Sequence, residues 1–151
     1  VAGVAVYLSG SSNRVPPALL HNLKHNKVIH ETTILLHVQT LDQPKLEEAE
    51  RLECRSMGEG IWDVSLKFGF AETPDVPRTL RSCLPEELRF HEGKASYFLG
   101  RETYCIGKKA TLFDRFRLFV FALLARNAAP ANAYFQLPPG RVVELGSQLT
   151  L

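Results

Sequence analysis

The sequence predicts an α/β protein: a mixed sheet built on a βαβ unit, with an added antiparallel hairpin and helices packed on it. Three observations carry this. Two short apolar runs, residues 3–8 and 33–38 (TILLHV), flank a segment that opens on Pro16-Pro17. Strand, helix, strand at that spacing reads as a parallel crossover, right-handed by default. Residues 51–70 then alternate apolar and polar around Gly58-Glu59-Gly60, the period of half-buried strands in a hairpin. Helix and strand patterns continue to alternate after that, which is the α/β order. The topology this implies is Rossmann-like, of the nucleotide-binding kind.

The elements follow in order. Residues 3–8 are continuously apolar and β-branched, as in a strand buried on both faces. Ser9-Gly10-Ser11-Ser12-Asn13 is a turn-forming loop. Pro16 and Pro17 suit the first turn of a helix, where a missing N–H costs nothing, and that helix runs to about Asn26. Residues 33–38 form the second buried strand. Residues 42–50 are an acid-rich connector. In the hairpin, Leu52 and Cys54 share the buried face with Trp62, Val64, Leu66, Phe68 and Phe70. Asp75 caps a short helix reaching about Leu84. Residues 95–99 (ASYFL) read as a strand, residues 111–126 as a long helix, and Val143, Leu145, Leu149 and Leu151 as a final strand.

The chain has 151 residues, enough for a single domain around one core. Hydrophobic residues make up 45% and charged residues 23%, which argues against disorder. A net charge of +2 offers no basic stripe for nucleic acid. Three cysteines without C-x-x-C spacing suit reduced thiols better than a disulfide framework. The longest apolar run, residues 118–125, falls far short of the ~20 residues that span a bilayer. The abrupt apolar start, with no leader, suits a domain cut from something larger.

Three segments are candidates for function. The first is PPALLHNLKHNKVIHE. At 100° per residue Leu19, Leu20 and Leu23 share one stripe, and His21 and His25 fall opposite it. That turns His21, Lys24 and His25 outward, to water or to a partner. Two histidines four apart can share a metal, but no third ligand accompanies them, and no metal is expected. The second is Ser9, Gly10, Ser11, Ser12 and Asn13. A loop leaving a parallel strand for a helix N-terminus is where open α/β sheets bind anions and nucleotides. It lacks both the P-loop and G-x-G-x-x-G patterns, so an ordinary turn is the competing reading. The third is the long helix. Phe113, Phe116, Phe119, Val120, Leu123 and Leu124 form one apolar face for the sheet. Leu118, Phe121 and Ala125 lie outside it and mark either an interface or burial under the chain's own loops. No catalytic residue is assigned: Glu72 and Asp75 suit helix-start roles, and Arg101-Glu102 suits a surface pair.

The blocks VPPALLHNLKHNKVIHE, FGFAETPDVP, SYFLGRET, LLARNA and PPGRVVELG together resemble the cytosolic C-terminal domain of Kup/HAK/KT-type potassium uptake transporters. The resemblance runs from Val4 to Leu149. Ala71 stands where the family often has methionine, and Gln136-Leu137 where Gly-Ile is usual. It implies a non-enzymatic regulatory and assembly domain at the cytoplasmic face of the cell membrane. Potassium and protons would be handled by the parent's own transmembrane transport domain, of about twelve helices, none of which lies in this chain. It further implies a homodimer, and cyclic di-AMP as the candidate regulatory nucleotide. The alternative is a free-standing α/β protein that binds a small molecule or nucleotide at the 9–13 loop.

Overall fold

The computed structural model describes residues 1–9, 14–88, 90, 94–105, 112, 113, 116, 117, 119, 120 and 135–150. Six strands, two α-helices and three short 3-10 turns have their bounds among them, the strands and α-helices being β1 (Val4–Ser9), α1 (Pro17–Asn26), β2 (Thr32–Leu41), β3 (Leu52–Gly58), β4 (Ile61–Gly69), α2 (Val76–Cys83), β5 (Ala95–Cys105) and β6 (Val142–Thr150). The strands form one mixed sheet in the order β3-β4-β2-β1-β5-β6. Only β3 and β4 are antiparallel; every other neighbouring pair is parallel. The expected α/β class, βαβ unit and hairpin are all present. The chain steps outward from β1 to β2 and β4, then returns to add β5 and β6 on the other side of β1.

Burial explains why β1 and β2 read as unbroken apolar runs. Ala5, Val6, Tyr7, Ile34 and Leu36 are fully buried, because a helix packs on each side of the sheet. On one face, Val6, Ile34, Leu36, Val64, Leu66 and Tyr97 pack with Val76, Leu80 and Leu84 of the α2 region. On the other, Ala5, Tyr7, Leu35 and Phe98 pack with Ala18 and Leu19 of α1. Tyr7 and Phe98 are register partners, and their rings stack with centroids 4.6 Å apart. Full burial of one such side chain contributes ~1.5–3 kcal/mol, so these two clusters fix which face of each strand looks where.

Local chemistry sets the ends. Pro17 opens α1, and the helix stops where Lys27 turns into the left-handed region at φ 55°, donating its N–H to Asn22 O. Asp75 caps α2 as expected, its Oδ1 accepting from the Arg78 N–H at 3.1 Å. The hairpin turns at Glu59 and Gly60, both at positive φ. Gly60 is required twice over, since its φ is +77° and a Cβ there would lie 2.0 Å from Glu31 O. Glu72 does not serve a helix start. Its carboxylate accepts from Arg51 Nη2 and from the Gly69 N–H, each at 2.6 Å, while Arg51 also donates to Leu46 O. The Arg51 guanidinium holds the Glu72 carboxyl below the usual carboxylate range.

Three expectations need correction. Helix α1 does not bury a leucine stripe: Leu19 is buried, but Leu20 and Leu23 are exposed, and the buried positions are Ala18, Leu19 and Asn22. Asn22 can lie inside because its Nδ2 donates to the Tyr7 hydroxyl at 2.9 Å and to Val28 O at 3.0 Å. The helix is therefore rolled relative to its hydrophobicity pattern, and His21 is half-buried rather than opposite the core. Phe70 does not join the buried hairpin face; it is exposed. Phe113, Phe116 and Phe119, expected to pack on the sheet, are helical and exposed.

Candidate functional site

Helix α1 packs over β1, β5 and β6. Register places Asp63 of β4 beside Leu35 of β2, and Arg55 of β3 beside Asp63. One pleat further along β2, His37 lies opposite Ser9, the last residue of β1. These side chains share the α1 face of the sheet. There a pocket of about 200 Å³ is lined by Arg14, Val15, Leu35, His37, Arg55, Met57 and Asp63.

The pairing of β3 with β4 is irregular between Ser56 and Gly58, leaving Met57 as the extra residue of a bulge at the pocket wall. Bulges recur beside functional sites because they re-aim a side chain.

The polar groups of the pocket are coupled. His37 Nε2 lies 3.0 Å from Asp63 Oδ1, and Arg55 Nη2 lies 3.3 Å from Asp63 Oδ2. The Asp63 carboxylate thus lies between the His37 ring and the Arg55 guanidinium. His37 is only 3% exposed, and its Nδ1 has no hydrogen-bond partner. Asp63 Oδ1 is also without an aligned hydrogen bond; its contact with His37 is close but poorly directed. A buried polar atom left in this state costs ~1–3 kcal/mol. Arg14, exposed at the pocket edge, forms no ion pair with any described residue.

The structure places the sequence candidates unevenly. Ser9 ends β1 beside His37. Gly10, Ser11, Ser12 and Asn13 lie outside the described residues, as do Leu118, Phe121 and Ala125. Lys24 and His25 are exposed, and the His21 and His25 rings stack with centroids 5.9 Å apart. Among the described residues, no group of three or more His, Cys, Asp or Glu side chains is placed to hold a metal ion.

The His37–Asp63–Arg55 cluster went unread in the sequence. A histidine inside the run TILLHV, on a strand expected to be buried, was its one signal.

Comparison with known proteins bears on the whole chain. The family described as "K+ potassium transporter C-terminal domain" matches residues 2–151. The chain is 42% identical over its full length to a probable potassium transport system protein Kup of Myxococcus xanthus, covering 23% of that protein. It is 40% identical to Kup 1 of Geobacter sulfurreducens, covering all of this chain and 24% of that protein. It is 44% identical to a Kup of Anaeromyxobacter dehalogenans, again covering all of this chain and 23% of the relative. The chain thus spans about a quarter of the length of the relatives it matches. No solved structure matches it. Among the described residues no helix is long and apolar enough to cross a membrane. On the match over residues 2–151, the chain belongs to the family of potassium transporter C-terminal domains.

Proposed function

We propose that this chain is the regulatory and assembly domain of a potassium transporter, held at the cytoplasmic face of the cell membrane. Uptake of potassium, by symport with protons, belongs to the membrane-spanning part of the parent protein. One observation carries this reading: the family match takes in nearly the whole chain, yet the chain accounts for only about a quarter of each named Kup relative. A two-sided sheet with exposed apolar helical residues at Phe113, Phe116 and Phe119 supports assembly into a dimer. Loop 9–13, at the end of a parallel strand, supports control by a nucleotide, with cyclic di-AMP the first to test.

The test is potassium uptake by the full-length parent with and without residues 1–151, in cells stripped of their other uptake systems. Removal should leave a membrane-inserted protein whose uptake no longer responds to the nucleotide and whose oligomeric mass falls. Unchanged uptake, control and mass would defeat the proposal. The free-standing alternative has less support, because each named relative carries the matched region as part of a much longer chain.

A further inference from the structure

We propose that the outward face of α1 is a docking surface for an anionic lipid bilayer. Leu20 and Leu23 enter the headgroup layer, and Lys24 and Lys27 lie against the lipid phosphates. This rests on the transporter reading in one respect, that the parent chain brings the domain to a membrane.

Charge is the first observation. Residues 1–30 contain Arg14, Lys24 and Lys27 and none of the 16 acidic residues of the chain. The net charge of +2 therefore has its source in this segment, and the remainder is nearly balanced. Arg14, Lys24 and Lys27 are all exposed. Among the described residues, neither Lys24 nor Lys27 pairs with a carboxylate. Glu144 of the nearby strand β6 shares its side of the sheet with Val142, which packs on the α2 face, so it points away from α1.

Apolar exposure on the same face is the second. Leu20 and Leu23 are 55% and 38% exposed. At 100° per residue they share with Lys24 one arc of about 100°, turned away from the buried Ala18, Leu19 and Asn22. Leucines set beside unpaired lysines suit a partner that is apolar beneath an anionic skin. Lysine stems lie along hydrocarbon while their ammonium groups stay at the level of the phosphates. A nucleic acid would satisfy the lysines and leave the leucines in water.

Position is the third. The family match is to a C-terminal domain and starts at residue 2, so the rest of the parent joins from the N-terminal side. That junction lies at the basic end of α1. The Val1 nitrogen donates to Ile29 O at 2.7 Å, two residues beyond the Lys27 cap. Val1 and Ile29 are both exposed and extend the apolar part of the surface. Val1 O accepts from the N–H of Glu31, the first acidic residue, which bounds the surface on that side. A tether arriving here holds the α1 face close to the bilayer, where a high effective concentration makes individually weak contacts sufficient.

The experiment mixes the 151-residue chain with millimolar phosphatidylglycerol–phosphatidylcholine vesicles and, in parallel, with phosphatidylcholine vesicles. Flotation measures binding, and a headgroup spin label broadens the backbone amide resonances nearest the bilayer. The expected result is binding to the anionic vesicles that weakens as salt rises, with broadening centred on Leu20, Leu23, Lys24 and Lys27. Lys24→Glu/Lys27→Glu should weaken binding at least ~25-fold, from about fivefold for each lysine near such a surface. Leu20→Ser/Leu23→Ser should weaken it at least ~fivefold. Lys45→Glu/Arg78→Glu makes the same change in net charge at exposed positions away from α1, and should stay within about twofold of wild type. All the substituted positions are exposed, and circular dichroism melts confirm that each variant is folded.

No binding, equal binding to both vesicles, broadening centred elsewhere, or equal losses in the Lys24/Lys27 and Lys45/Arg78 variants would each overturn the proposal. So would release of the chain by free glycerol 3-phosphate, or a DNA duplex that binds the same residues as tightly as the vesicles. The readout needs no potassium uptake, so failure here and failure of the transporter reading are separately visible.

Discussion

Removing the Glu72 carboxylate should destabilise the domain by about 3 kcal/mol. Glu72 ties the turn after β4 to the residue that leads into β3. One oxygen accepts from Arg51 Nη2 at 2.6 Å, and the other accepts from the Gly69 N–H at 2.6 Å. The two side chains are 14% and 16% exposed, so solvent screens the pair only in part. A hydrogen bond to a charged group contributes ~1.5–3 kcal/mol net. Two such bonds sharing one carboxylate are not fully additive, and Arg51 keeps its bond to Leu46 O and its place 5.6 Å over the Phe68 ring. Glu72→Ala should therefore cost about 3 kcal/mol, equivalent at this chain length to a fall in Tm of ~6–12 °C.

The pH dependence has a fixed sign. Glu72's carboxyl pKa is lowered in the folded state, first by the Arg51 hydrogen bond, from the ordinary 4.5. Its contribution is complete above that ordinary value and disappears as pH falls through the lower folded one. Thermal melts followed by circular dichroism at pH 7 and at a series of acid pH values read both effects. The gap between wild type and Glu72→Ala should be widest at neutral pH and should narrow in acid. A gap under 1 °C at pH 7, or one that widens in acid, refutes the reasoning.

Other substitutions separate the remaining contributions. Gly60→Ala should lower the urea midpoint well beyond Gly58→Ala. Both sites have positive φ, but only Gly60 places a Cβ against backbone, 2.0 Å from Glu31 O. Equal midpoints would show that turn strain alone matters. Asn22→Leu should cost about 2 kcal/mol in urea unfolding through the lost bonds to Tyr7 and Val28. It should also raise the Tyr7 phenol further above 10.0, because burial already raises it and the Asn22 bond holds it down. Alkaline difference absorbance reads that change, and a downward movement contradicts the assignment. Leu20→Glu should stay within about 0.5 kcal/mol of wild type, whereas Leu19→Ala should cost ~2–5 kcal/mol. The reverse ranking would restore the leucine stripe as the buried face of α1.

Much of the fold was legible because it is local. The continuous apolar runs at β1 and β2, the proline pair, the hairpin alternation and the Asp75 cap each act within a few residues. The errors arise where a distant partner changes a residue's character. Asn22 counts as polar in any periodicity, yet Tyr7 and Val28 satisfy its amide and let it lie inside, which rolls α1 and exposes Leu20 and Leu23. Glu72 looked like a helix-start carboxylate until its partner at Arg51, across the hairpin, was in place. The pocket was the least legible feature. His37, Arg55 and Asp63 belong to three strands, and only the register of β2, β4 and β3 brings them onto one face. The strand ASYFL was seen, but its continuation to Cys105 through the charged pair Arg101-Glu102 was not, because pairing with β6 rather than apolar content sustains it.

The position of β1 bears on how the chain reaches this state. The first strand of this sequence becomes an inner strand of the sheet, bordered by β2 through Val4↔Thr32 and by β5 through Val4↔Ala95. The first border needs only the adjacent βαβ segment, and the β3–β4 hairpin is likewise local. The second waits for almost two thirds of the chain. Until β5 docks, β1 offers an apolar, unpaired edge, and long-range parallel pairing of this kind is intrinsically slow. A chain halted before Ala95 would carry that edge exposed, an adhesive margin of the sort that drives aggregation. Arrival of β5 is therefore the step that turns a collection of local units into a closed domain.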